Sequence, residues 1–250
     1  MTYQFALSPD VNVRDLSHWF VFNTRLQKLT GEAFHLTAFD DFAALHLAIE
    51  KGEIDLVFAN AADTALLIRQ RGFRPLASPN GAADESLIAV SEESPVHCLA
   101  DLGAGPIDVA AANAPDVERI CRILLEPVDL GRDRIRLLYK RNPVLVAKAV
   151  LAGEVRAGFF LAAAYTELSE STRKGLRPIA TSRIYVVKHS LLCGPRLAPL
   201  RDSLLAALAR VSATEEDQPM LAGLGAPQGW SAMSDDEAEF MIDLMDTLEA

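Results

Sequence analysis

The feature that most constrains this chain is the regular alternation of short apolar runs with helical patterns. Strand-like runs fall at Tyr3–Leu7, Phe34–Phe39, Ile54–Ala59, Arg74–Ala77, Leu87–Val90, Ile107–Ala111, Ile135–Tyr139, Arg156–Phe160 and Ile184–Val187. Helix-period segments lie between them, and that order predicts an α/β fold built on parallel sheet. The helices carry their own punctuation. Asp40 is placed to cap a helix that runs to Lys51 and stops at Gly52, and Asn142 precedes Pro143 at the start of a helix that Gly153 ends. Asn60 stands before Ala61-Ala62-Asp63, an arrangement like the capping box, and Gly31 closes the first long helix.

Two stretches echo each other. Ala48 to Phe58, read through Gly52-Glu53-Ile54, lines up with Ala149 to Phe159, read through Gly153-Glu154-Val155. Both read as a helix end, a Gly-Glu turn and a buried strand. Helix–Gly–strand units are common in α/β proteins, but one copy in each half points to two lobes of similar architecture. Residues 79–86 are polar and turn-rich, and residues 181–189 form a second extended segment. Two such crossings predict a hinge. The lobes are then residues 1–85 with 186–250, and residues 86–185. The tail from Pro195 reads as helical throughout. Its last stretch, Ser234 to Leu248, puts Ala238, Met241, Ile242, Met245 and Leu248 on one face, predicted to pack on the first lobe.

Composition narrows the function. Half the residues are hydrophobic, which excludes a disordered chain. A net charge of −10 argues against extended nucleic-acid binding, which needs a basic surface, but leaves room for a small anion held by oriented N–H groups. No apolar run has membrane-helix length. The start, Met1 to Asp10, reads as a first strand rather than a leader, so the chain as written is predicted cytoplasmic, or periplasmic if a leader has been removed. Cys98, Cys121 and Cys193 show no metal or disulfide spacing and read as buried free thiols.

Most catalytic signatures are missing: no P-loop, no nucleophile elbow, and no His or Cys pair at metal-ligand spacing among His18, His35, His46, His97 and His189. Gly103-Ala104-Gly105 leads into a strand and reads as a turn. Arg132, Arg134 and Arg136 alternate, as on a solvated edge strand. No cofactor or metal is implied. What remains is a set of polar residues at strand-to-helix turns, where open parallel sheets bind ligands. These are Ser8-Pro9-Asp10, Asp40-Asp41 and Asn60 with Asp63-Thr64 in the first half, then Asn113-Ala114-Pro115 and Tyr139 to Asn142 in the second. Each is also an ordinary helix-cap residue.

Several short motifs resemble the phosphate/phosphite/phosphonate substrate-binding proteins of ABC transporters. They are Phe5-Ala6-Leu7-Ser8-Pro9-Asp10, Gly52-Glu53-Ile54-Asp55 through Asn60, Gly72-Phe73-Arg74-Pro75-Leu76-Ala77, Asp101-Leu102-Gly103 and Ala147 through Val155. The resemblance implies a type 2 periplasmic-binding-protein fold, a two-lobed α/β fold with two hinge crossings and a small ligand in the cleft between lobes. It implies ligand contacts at Ser8, at Asp40 to Phe42, at Asn60, at Asn113 to Asp116 and near Tyr139 to Asn142. Two departures stand out. The family's Ser/Thr/Gly-rich anion turn is here Asn113-Ala114-Pro115-Asp116, in which Pro115 lacks an N–H and Asp116 is acidic. Where such proteins carry His in the later turn, this chain has Arg141-Asn142.

The expected function is therefore binding of a small polar solute, an oxyanion such as phosphate or phosphonate or a carboxylate, without catalysis. The expected contacts are Ser8, Asp41, Asn60, Asn113, Tyr139, Arg141 as charge partner, and Asn142. The expected partner is a transporter permease or a signalling protein, with no nucleic acid and no membrane insertion. Two alternatives remain: a cytoplasmic ligand sensor or partner subunit, and a biosynthetic enzyme on the same fold.

Overall fold

In a computed structural model that describes residues 2–11, 16–103 and 105–247, with Arg132 described for its backbone alone, two sheets form separately. The chain divides into two compact units, passing from the first to the second after Ala83 and returning after Val187; the end of the last helix, from Met245, groups with the second.

The first unit opens with β1 (Thr2–Leu7), α1 (Leu16–Thr30), β2 (Ala33–Ala38), α2 (Phe42–Glu50), β3 (Leu56–Ala59), α3 (Ala61–Arg71) and β4 (Arg74–Pro79). The second unit holds β5 (Ser86–Ser91), β6 (Ile107–Ala112), α4 (Pro115–Leu125), β7 (Ile135–Lys140), α5 (Pro143–Leu151), β8 (Ala157–Leu161), two short helices α6 (Ala162–Thr166) and α7 (Glu170–Lys174), and β9 (Leu176–Thr181). The chain then re-enters the first unit as β10 (Ser190–Cys193), α8 (Arg201–Ala213), α9 (Gln218–Gly223), β11 (Trp230–Ala232) and α10 (Asp235–Thr247).

The first sheet has the order β11-β4-β10-β3-β1-β2 and the second β7-β6-β8-β5-β9. Both are mixed rather than parallel. β10 runs antiparallel between β3 and β4, and β5 runs antiparallel between β8 and β9. In each unit the reversed strand is the one that follows a crossing. An apolar run looks the same in either direction, so periodicity carries no sign of this.

Alternation along the strands feeds a core on each face of each sheet. In the first unit Phe5, Leu7, Leu56 and Phe58 join α1, α8 and α9 on one face, while Ala6, Val57 and Ala59 meet Leu45, Ile49 and Leu67 on the other. In the second, Ile88, Val109 and Phe159 pack with Cys121 and Leu125 of α4, and Leu87, Ala110 and Phe160 pack with Val146 and Val150 of α5. Gly158 permits that last contact, because a Cβ there would lie 2.7 Å from the Phe160 ring and 2.9 Å from Val146 and Val150.

The echo is a structural repeat. Gly52 and Gly153 take φ of 68° and 69°, the left-handed turn that favours glycine. Glu53 N donates to Ala48 O and Glu154 N to Ala149 O, both at 3.0 Å. Asp55 N donates to Gln4 O at 3.0 Å, and Arg156 N to Asp108 O at 2.9 Å. The correspondence reaches back through two nine-residue helices to their N-caps, Asp41 accepting from Ala44 N and Asn142 from Leu145 N.

Several sequence readings need correction. The cap of α2 is Asp41, not Asp40. Ile184–Val187 is in no ladder: the Glu85 carboxylate accepts the N–H groups of Ile184 and Tyr185 that a neighbouring strand would need, and Tyr185 has a positive φ of 59°. The strands there are β9 and β10 on either side. The tail is not wholly helical. β11 interrupts it, fixed by Trp230, whose ring packs 5.5 Å from Phe22 and 5.8 Å from Phe58 and whose backbone N–H donates to Ser212 Oγ. Arg132–Arg134 form a 3-10 turn, leaving Arg136 on edge strand β7, where it pairs with Asp108 opposite it on β6. Cys98 is exposed, whereas Cys121 and Cys193 are buried. Ala238, Met241, Ile242 and Met245 are buried as a face of α10, and Arg69 and Arg74 of the first unit pair with Asp243 and Asp235. Leu248 and Ala104 lie outside the described residues, as does the Arg132 side chain. No helix among the described residues is long and apolar enough to cross a membrane.

Candidate functional site

In the first unit β1, β2 and β3 are adjacent and parallel, so Ser8, Asp41 and Asn60, which follow them, share one end of the sheet. Asp41 is an exposed cap there. Ser8 and Asn60 are different: they are 2% and 1% exposed and belong to a buried polar cluster.

Asn60 organises that cluster. Its Oδ1 accepts from Asp63 N at 2.9 Å, capping α3, and its Nδ2 donates to Asp10 Oδ2 at 2.9 Å. The other Asp10 oxygen lies 3.2 Å from His189 Nε2, and the His189 ring lies 5.3 Å from Phe58. Asp63 Oδ1 meets His46 Nε2 at 2.6 Å. Three buried oxygens, Ser8 Oγ, Asp63 Oδ2 and Thr64 Oγ1, have no hydrogen-bond partner among the described residues. Unpartnered buried polar atoms are uncommon and call for a functional explanation.

The two carboxylates differ. Burial acts to raise the pKa of Asp10, but the charge of His189, the hydrogen bonds from His189 and Asn60 and the nearby Ser8 hydroxyl outweigh it and hold the group at about 2. The Ser8 hydroxyl is thus near enough to favour the Asp10 charge without forming a hydrogen bond of ordinary geometry. Asp63 goes the other way. Burial pushes it up, the hydrogen bond and charge of His46 offset part of that, and the charge of Asp10 adds to it. The Ser8 and Thr64 hydroxyls beside these two carboxylates form a place where a small polar group can be held.

In the second unit β6 and β7 are parallel neighbours with Ala111 opposite Tyr139, so the turns at 112–116 and 140–142 share one end of that sheet. Asn113 is exposed and is not a cap; Ala114 holds that position, without a side-chain bond, before Pro115. Tyr139 is 57% exposed and its hydroxyl donates to Glu118 Oε2 at 2.7 Å. Arg141 and Asn142 are exposed, with Asn142 capping α5.

Asp10, Asp63, His46 and His189 were not among the predicted contacts. Asp10 is in the Ser8-Pro9-Asp10 turn and Asp63 sits beside Asn60, so proximity to predicted turns could have found them. His46 and His189 lie far off in sequence, and only the fold brings them in. No group of His, Cys, Asp and Glu suited to a metal ion occurs among the described residues. A cavity of about 230 Å³ in the second unit, lined by Ser91, Ser94, Pro95, Val96, Val150, Gly153, Val155 and Arg156, touches none of the predicted residues and lies where β8 begins rather than ends.

Comparison with known proteins gives one family-model match, described as ABC transporter, phosphonate, periplasmic substrate-binding protein, over residues 5–238. No curated protein matches significantly by sequence. Among solved structures, PhnD1 from Prochlorococcus marinus in complex with methylphosphonate superposes with a TM-score of 0.84 at 10% identity, covering 99% of this chain and 98% of that one. XAC2383 from Xanthomonas citri bound to chloride ion gives 0.77 at 14% identity, covering 99% and 97%. The periplasmic aliphatic sulphonate binding protein SsuA from Escherichia coli gives 0.72 at 14% identity, covering 99% and 91%. At these identities the structures share the fold.

Proposed function

We propose, from the premise that the chain belongs to the phosphonate family of ABC-transporter periplasmic substrate-binding proteins, that it captures a small organophosphonate-type oxyanion and delivers it to a permease. The observation that carries the reading is the buried cluster around Asn60, with the Ser8 hydroxyl left unpartnered beside it. The Ser8 and Thr64 hydroxyls supply hydrogen-bond donors for ligand oxygens. Asn60 and His189 hold Asp10 so that its charge is spent within the protein. In the second unit Asn113, Tyr139, Arg141 and Asn142 are the proposed contacts, with Arg141 as the cation. The ligand of PhnD1 supports the choice of oxyanion.

Binding is favoured over hydroxyl-based catalysis on chemical grounds. A nucleophilic serine needs a base, and the carboxylate beside Ser8 has a pKa of about 2, too low to take a hydroxyl proton at neutral pH. His189 bonds to Asp10. Its working compartment, on this reading, is the family's periplasm.

The test is a thermal-shift screen with methylphosphonate, inorganic phosphate and methanesulfonate, followed by calorimetry on wild type and Ser8→Ala. A ligand at a hundred times its Kd stabilises by about 2.7 kcal/mol, which for a chain this long is roughly 5–10 °C. Absence of any shift would overturn the oxyanion assignment. Recovery of the natively expressed protein from the cytosol alone would overturn the compartment.

A further inference from the structure

Two buried carboxylates belong to the polar cluster, and only one of them is balanced. Asp10 has a partner on each oxygen, Asn60 Nδ2 and His189 Nε2, and stays ionised. Asp63 is 4% exposed and has a partner on one oxygen alone. Its Oδ1 lies 2.6 Å from His46 Nε2, while Oδ2 is buried with no hydrogen-bond partner among the described residues. All these groups lie in the first unit.

The charged and titratable groups that face Asp63 are His46 of α2, Asp10 after β1 and His189 before β10. The two histidines favour its charge; Asp10 opposes it, and burial opposes it most. An anion held by the Ser8 and Thr64 hydroxyls adds a further negative charge to the cluster. Like charges in one buried place do not all persist, and the group that gives way is the one whose charge is least supported. Asp10 is supported on both oxygens. Asp63 has an oxygen free to take a proton, and a route for it: the His46 side chain is 39% exposed and touches the buried carboxyl.

We infer that the site takes up its oxyanion together with one proton from solvent, which bonds to Asp63 Oδ2 and leaves that carboxyl neutral. The inference rests on the oxyanion reading above and adds a coupling to it. By reciprocity, the factor by which the anion tightens the proton is the factor by which the proton tightens the anion. Affinity therefore falls as pH rises, by up to about tenfold per pH unit where Asp63 is ionised in the free protein and neutral in the bound one.

The experiment is calorimetric titration of methylphosphonate and inorganic phosphate into wild type, Asp63→Asn and His46→Gln, with a melting curve for each. Buffers of contrasting ionisation enthalpy are used from mildly acidic to mildly alkaline pH. The slope of binding enthalpy against buffer enthalpy counts the protons taken up, and each ligand's own ionisation is common to the three proteins. Wild type should exceed Asp63→Asn by up to about one proton. Asp63→Asn, neutral at every pH, should bind more tightly than wild type on the alkaline side. His46→Gln should keep the uptake and show it at higher pH, because His46 favours the Asp63 charge. Equal proton counts in wild type and Asp63→Asn, with both binding, would overturn the inference and leave the oxyanion reading standing. If Asp63→Asn does not fold, His46→Gln decides: uptake that is lost, or that stays at the wild-type pH, overturns the assignment to Asp63. If wild type binds neither ligand, the oxyanion reading itself fails and the coupling falls with it.

Discussion

Replacing Asp10 by asparagine tests the centre of the candidate site, and its pH dependence carries more information than its size. The Asp10 carboxylate moves from an ordinary value of 3.8 to about 2 on folding. Each unit of pKa corresponds to about 1.4 kcal/mol, so the ionised group contributes about 2 kcal/mol to stability at neutral pH. Asparagine keeps one oxygen acceptor but turns an NH2 toward either Asn60 Nδ2 or His189 Nε2, both of which lie beside Asp10 oxygens. At 2–4 °C per kcal/mol the variant should melt roughly 4–8 °C below wild type at pH 7.

The pKa is depressed in the folded state, so the stabilisation is fully present above the unfolded value near 3.8 and is lost as pH falls from there through about 2. The gap between the two melting temperatures, followed by circular dichroism, should stay constant from neutral pH to about 5, narrow below 4 and close near 2. Asp63, whose pKa is raised, acts in the opposite sense: its protonation on acidification relieves a penalty. That contribution is largely common to both proteins and drops out of the difference. A gap that survives at pH 2, or no gap at pH 7, would refute the electrostatic account of the cluster.

Asn60→Ala should cost about 0.5–2 kcal/mol in urea unfolding from the cap alone, whereas Asn60→Asp keeps the cap but sets a carboxylate against Asp10, so its oxyanion affinity should fall; equal affinity in calorimetry would reduce Asn60 to a cap. Gly158→Ala should destabilise by about 1–3 kcal/mol, because a Cβ has three side-chain atoms of the core within 2.9 Å; an unchanged urea midpoint would contradict the packing. Of the three cysteines, Cys98 should react with a thiol reagent in the folded protein, while Cys121, whose thiol burial pushes up, and Cys193 should react only after denaturation; more than one modified thiol per native chain would contradict their burial.

Much of the framework was legible because local chemistry writes it locally. Caps at Asn60 and Asn142, Pro143 at a helix start, and glycines at helix ends act within a few residues of themselves. The misses have the opposite character. Strand direction leaves no periodic trace, which is why β5 was expected parallel. Ile184–Val187 has the composition of a strand, but the acceptor that removes it from a ladder is Glu85, about a hundred residues away. The site shows the same division. Ser8 and Asn60 follow their strands and could be named, while His46 reaches Asp63 from inside α2 and His189 arrives on a chain return that no turn motif announces.

The internal repeat separates fold from function more sharply than either half does alone. From Asp41 to Phe58 the first unit matches Asn142 to Phe159 of the second in cap, helix length, left-handed glycine and backbone hydrogen bonds. Agreement between copies marks what the scaffold needs. Two positions further on, it breaks. Asn60 caps α3 where its counterpart, Leu161, precedes α6 with no side-chain bond at all. The register that pairs Gln4 with Asp108 likewise sets Ser8 against Ala112 and Asp10 against Ala114. At all three places the scaffold folds with an apolar residue, so the serine, aspartate and asparagine of the first unit are not required by the architecture. Burying them costs free energy that alanine and leucine avoid. That cost, met at three neighbouring points in one unit and at none of their counterparts in the other, is the physical argument behind the proposal that the cluster serves a bound solute.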